Sequence, residues 1–144
     1  MTEPYVMNFK VRWSDLDANG HMRNTAYMDL AMQTRIAYMA SQGATPAKFR
    51  EWKMGPIVFK DETRYVREVN LLDEIAVSLY VGGLSVDGSK FTLVNRLHRD
   101  EVLVADIISW GAWFHLEQRK VVAPPPKLRE VWEACTTINL ETLG

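Results

Sequence analysis

Six polar side chains crowd residues 15–24: Asp15, Asp17, Asn19, His21, Arg23 and Asn24. A helix is expected to begin at Asn24 or Thr25, either of which can cap it, and the first amides of a helix have no intrahelical acceptor. Their dipole favours negative charge, and they can polarise a carbonyl oxygen as it becomes an oxyanion. A carboxylate beside such amides supplies a base or nucleophile together with an electrophilic partner, the minimum for acyl transfer. The same residue types also cap helices and form Asx-turns, so residue types alone leave capping and catalysis both open.

Other chemistries find less support. His98 and His115 fall in expected strands, and neither a His-Glu-x-x-His nor a Cys-x-x-Cys spacing occurs, so no metal is expected. The single cysteine, Cys135, cannot form an internal disulfide. The serines include no Gly-x-Ser-x-Gly elbow. Gly82-Gly83 has no Lys-Ser/Thr after it, and reads as a strand bend or bulge instead of a phosphate loop.

The elements that must position the polar cluster follow from apolar periodicity. Tyr5 to Trp13 alternates loosely and predicts a strand. A helix is predicted from Asn24 or Thr25 to Gln42, with Gly43 as its left-handed cap. Its apolar residues, among them Tyr27, Leu30, Met32, Ile36 and Tyr38, cover most of the circumference, so it should be enclosed. A short helix near Lys48–Lys53 precedes four strands: Ile57–Val69, Glu74–Val81, Lys90–Arg99 and Val102–His115. Val86-Asp87-Gly88-Ser89 signals a tight hairpin and Arg99-Asp100-Glu101 a second short link, so the neighbours are antiparallel. Pro124-Pro125-Pro126 closes the sheet region, and Leu128 to Cys135 suggests a last short helix. The expected fold is α+β: five antiparallel strands curling around one long central helix, in one domain spanning 1–144. Its strand edges invite a second copy.

Composition narrows the partners. The chain has 144 residues, 47% hydrophobic and 24% charged, with a net charge of −1. That suits one soluble core and offers no broad basic surface for nucleic acid or an anionic membrane. The first residues lack a basic stretch followed by an apolar run, and no window reaches 18 apolar residues, so neither a signal peptide nor a membrane span is expected. The cytoplasm is the default location.

The run from Arg12 to Tyr27 resembles the signature of hotdog-fold thioesterases of the 4-hydroxybenzoyl-CoA thioesterase type. The shared pattern is Asp-x-Asp-x-x-Gly-His-x-x-Asn-x-x-Tyr, here Asp15, Asp17, Gly20, His21, Asn24 and Tyr27. Looser similarity continues through Tyr65-Val66-Arg67-Glu68, Asp73-Glu74-Ile75 and Arg99-Asp100, with coverage from about residue 5 to about residue 125. The resemblance implies a hotdog fold and acyl-CoA thioester hydrolysis without a cofactor, coenzyme A being part of the substrate. It makes Asp17 the catalytic carboxylate, as nucleophile or general base. A backbone amide near Met22 to Thr25 would hold the carbonyl, and His21, Arg23, Asn24 and Tyr27 would shape the site. The short Gly-His form is similar to members acting on fatty acyl groups. Arg23 stands where many relatives carry asparagine, and Glu101 replaces a frequent turn glycine. Arg119 and Lys120, outside the motif, are candidates for the coenzyme A phosphates, and a homodimer or homotetramer is implied. The alternatives on this fold are a hydratase or dehydratase and a non-catalytic acyl-CoA-binding module.

Overall fold

The computed structural model describes residues 3–143. Five long strands form an antiparallel sheet in the order β1-β3-β4-β5-β2, with β1 at Tyr5–Lys10, β2 at Met54–Tyr65, β3 at Glu74–Leu84, β4 at Lys90–Arg99 and β5 at Val102–His115. A two-residue strand absent from the sequence reading, β6 at Lys120–Val121, pairs with the end of β5 that runs past β4, so the sheet has six strands. Three α-helices accompany it: α1 at Asn24–Ser41, α2 at Pro46–Trp52 and α3 at Pro126–Glu133.

Strand limits differ from the periodicity where side chains compete with the ladder. β1 stops at Lys10, because the Asp15 carboxylate accepts the Arg12 N–H and closes a 3-10 turn over Trp13–Asp15. β2 ends at Tyr65 instead of Val69; Val66 and Arg67 both donate to the Val104 carbonyl as the chain leaves the ladder. The expected irregularity at Gly82-Gly83 is present, as a register shift between Val81 and Gly83. In the β3–β4 hairpin Gly88 alone takes positive φ, at 77°. Asp87 instead accepts from Ser85 and Ser89, which pushes its carboxyl down to about 2. The β4–β5 link is a two-residue turn with Asp100 and Glu101 both left-handed, at φ 49° and 66°.

Helix α1 lies on the inner sheet face through Tyr27, Ala31, Thr34, Arg35 and Tyr38. Its first half joins a core of Val69, Ile75, Val77, Leu97, Val104 and Ile107. Its second half joins an aromatic core, in which Trp132 stacks on Tyr38 at 5.7 Å and on Trp113 at 6.1 Å between ring centres. Each such fully buried side chain contributes roughly 1.5–3 kcal/mol. The helix is less enclosed than its composition predicts. Met32 and Ile36 are 40% and 47% exposed, because the sheet reaches only one side of α1. No helix among the described residues is long and apolar enough to cross a membrane.

Candidate active site

The polar cluster folds into a small hairpin of its own. Asp17 N–H donates to the His21 carbonyl, Leu16 bridges Met22, and Arg23 N–H donates to the Asp15 carbonyl. Gly20, at φ 80°, makes the turn at its tip. A second loop, residues 66–73, braces this hairpin: Met22 N–H reaches the Val69 carbonyl at 2.7 Å, and His21 bridges Asn70. The Arg99 guanidinium pins that loop from beneath, donating to the Glu68 carbonyl and the Asp73 carboxylate at 2.8 Å each.

The two aspartates have opposite surroundings. Asp15 is 3% exposed, and its carboxylate accepts from the Arg12 backbone at 2.9 Å and from its guanidinium at 2.9 and 3.2 Å. The hydrogen bond from Arg12 holds its carboxyl below the usual range, against the opposing pull of burial. Asp17 is exposed. One carboxylate oxygen, Oδ1, accepts from the backbone N–H of Asn19 at 2.8 Å and of His21 at 3.1 Å. Its other oxygen has no partner, and no cation pairs with it, among the described residues. Asp15 is tied down through both oxygens, whereas Asp17 is held through one, Oδ1.

The start of α1 is built differently from the expectation. Neither Asn24 nor Thr25 caps it: Arg23 is the N-cap and makes no side-chain cap hydrogen bond. Its guanidinium instead donates to the Thr25 hydroxyl at 2.8 Å and lies 3.7 Å from Asp29. The amides of Asn24 and Thr25 therefore find no acceptor among the described residues. The Met22 and Arg23 amides are occupied by Val69 and Asp15, so the expected donor range of Met22 to Thr25 narrows to its last two residues. The Met22 side chain is 4% exposed inside the core.

Tyr27 and Tyr65 meet edge to face at 5.0 Å, and with Val66, Arg67 and Glu68 they line a cleft of about 260 Å³. Burial raises the Tyr27 phenol above its ordinary pKa. Nearby Tyr65, Asp17 and Glu68 push the same way and Arg99 opposes, so it stays a proton donor at neutral pH. Glu68 lies 3.1 Å from His21 Nε2. Glu68, Tyr65 and Arg99 stand beside this cluster and carry no role in the sequence analysis, although Tyr65-Val66-Arg67-Glu68 and Arg99-Asp100 belong to its looser similarity. A larger depression, about 520 Å³, lies on the other sheet face, beside Arg64, Asp106 and Leu143, away from Asp17.

Asp17, His21, Arg23, Asn24, Thr25 and Tyr27 thus come together. Arg119 and Lys120 do not. They follow the far end of β5, whose rise of ~3.3 Å per residue puts them roughly 35 Å from the Val104 end, and Arg119 packs over the Phe114 ring at 5.1 Å.

The sequence profile of the Thioesterase-like superfamily matches residues 11–131. No curated protein matches the chain. Among solved structures, the protein SAV2348 from Staphylococcus aureus in complex with CoA superposes with TM-score 0.87 at 18% identity, covering 99% of this chain and 92% of that one. Slr0204, a 1,4-dihydroxy-2-naphthoyl-CoA thioesterase from Synechocystis, gives 0.80 at 13% identity over 90% and 96%. The PA2801 protein from Pseudomonas aeruginosa gives 0.76 at 25% identity over 88% and 95%. These likenesses identify the hotdog fold. With the profile spanning most of the sequence, the chain belongs to the thioesterase-like superfamily and is a thioester hydrolase.

Proposed function

We propose that this protein hydrolyses acyl-CoA thioesters at the junction of the Asp17 hairpin and α1, with no cofactor beyond the coenzyme A of the substrate. The observation that carries this reading is a carboxylate anchored through one oxygen beside two helix-start amides, the carboxylate without a cation and the amides without an acceptor among the described residues. The thioester oxygen would sit on the Asn24 or Thr25 amide, where charge developing on it is stabilised. Asp17 then takes a proton from an attacking water, or attacks the carbonyl itself to give a mixed anhydride that water cleaves. Either route consumes one water and yields the free acid and the coenzyme A thiol. Tyr27 and the His21–Glu68 pair flank the cleft and would orient the substrate.

The acyl group in this reading is aliphatic, as the short Gly-His form of the motif suggests. Strand β2 is twelve residues long, exposed, and paired on one side only, which favours a second copy docking along it. An antiparallel partner there would bring its own Arg119 end toward this site, so those cations would act on coenzyme A phosphates only across subunits.

Release of free thiol from a series of acyl-CoAs tests the reading. The wild-type protein should turn over, and Asp17→Asn should lower kcat by about 10²–10⁴-fold, the usual contribution of a positioned base, with its melting temperature unchanged. Full activity in Asp17→Asn would refute the role of Asp17.

A further inference from the structure

Residues 66–73 link β2 to β3, and backbone hydrogen bonds tie both ends of this loop. Val66 and Arg67 donate to the Val104 carbonyl at one end. At the other, Leu72 donates to the Val11 carbonyl and Val11 to the Asp73 carbonyl. Between these ties the Val69 side chain is fully buried in the core, which fixes how deep the loop sits. Its lateral register has a different source. Arg99, the last residue of β4, sends Nη1 to the Glu68 carbonyl and to the Asp73 carboxylate, each at 2.8 Å. The Asp73 turn closes without it, since the same carboxylate oxygen accepts from the Asn70 N–H at 2.8 Å. What Arg99 adds is a link from Glu68 to β4, a strand paired on both sides. Among the described residues, no other side chain of the sheet donates to residues 68–70.

The loop braces the segment from His21 to Arg23, and that segment joins the two halves of the proposed site. Val69 accepts from the Met22 N–H at 2.7 Å, Asn70 bridges His21, and the Glu68 carboxylate lies 3.1 Å from His21 Nε2. The His21 N–H in turn donates to Asp17 Oδ1 at 3.1 Å. Directly after Arg23 come the Asn24 and Thr25 amides. Helix α1 is held by its own core contacts, so a shift of residues 68–70 moves His21 and Asp17 against the helix start. The Arg99 charge is also felt at the Tyr27 phenol, where it opposes the effect of burial.

We propose that Arg99 is a positioning residue for hydrolysis: by fixing the Glu68 carbonyl to β4, it holds Asp17 in register with the Asn24 and Thr25 amides. The inference rests on the hydrolase reading above. Arg99 acts through the loop and touches no reacting atom, so its loss should fall on kcat and leave substrate binding nearly intact.

The test is thiol release by Arg99→Ala and Asp73→Asn beside the wild type, with melting temperatures measured in parallel. Asp73→Asn removes the charge partner, keeps an oxygen for the Asn70 N–H and leaves the Arg99–Glu68 contact in place. Arg99→Ala should lower kcat by about 10–100-fold, the scale of a displacement of about 1 Å, with KM within about threefold of the wild type. Asp73→Asn should keep kcat within about threefold. Millimolar guanidinium ion, which fits the space of the missing head group, should restore most of the kcat lost in Arg99→Ala, and potassium ion should not. If Arg99→Ala does not fold, Arg99→Lys takes its place, with a kcat loss of about tenfold expected because an ammonium does not reproduce the guanidinium geometry. A folded Arg99 variant with kcat within about threefold of the wild type overturns the proposal. So does an equal kcat loss in Asp73→Asn, or a loss in Arg99→Ala that guanidinium ion leaves unchanged. No release by the wild type from any acyl-CoA would instead bring down the hydrolase reading, and this inference with it.

Discussion

The two ends of α1 are built in opposite ways. At the C-terminal end every available device closes the helix. Gln42, Gly43 and Ala44 return their N–H groups to the carbonyls of Tyr38, Met39 and Ala40, with Gly43 at φ 90°. The Tyr38 hydroxyl donates to the Val131 carbonyl at 2.6 Å, and Trp113 and Trp132 pack against that turn. At the N-terminal end no side chain caps the helix, two amides have no acceptor among the described residues, and the Asp17 and Glu68 carboxylates nearby are exposed. One end invests its groups in stability, the other leaves them available to a ligand.

The sharpest way to break this contrast is to damage the closed end. Trp132→Ala should destabilise the protein by about 3–5 kcal/mol, the range for emptying a large aromatic site. Unfolding in denaturant measures it. A loss below about 1 kcal/mol would mean that the cluster does not anchor the fold.

A smaller effect separates the two aspartates. The Asp15 carboxyl is lowered by Arg12, so the native state holds that proton less tightly than the unfolded chain. The resulting stability is present above the unfolded carboxylate pKa of about 4 and is lost as the pH falls through the lower native value. Melting temperatures followed below about pH 4 should fall less steeply in Asp15→Asn than in the wild type. Identical acid limbs would show that the Arg12 pairing carries no folding free energy.

The strands and α1 were legible because alternation and the helical period record burial directly. Lys90–Arg99 and Val102–His115 match to the residue, as does the left-handed Gly43. The capping of α1 was not legible, since Asn24 and Thr25 are good caps in isolation and only the Asp15–Arg23 and Val69–Met22 pairings place Arg23 in that role. The Met22 amide was not separable from its neighbours either, because only the distant Val69 carbonyl takes it up. The Arg99 contacts join residues 26 and 31 positions apart, and no local pattern reports such a contact. The exposure of Met32 and Ile36 is likewise a property of how far the sheet extends, not of the helix.

Proline in the first turn tests the central contrast most directly, because it is tolerated there and removes only the amide donor. Arg23, at φ −69° and ψ 151°, already has the backbone that a following proline requires. Asn24→Pro and Thr25→Pro are compared with Asn24→Ala and Thr25→Ala in thiol release. The open end of α1, if it holds the reacting carbonyl, should make at least one proline variant about 10²–10³-fold slower in kcat than its alanine counterpart, the usual cost of one oxyanion donor. Two folded proline variants that match their alanine counterparts would contradict the account.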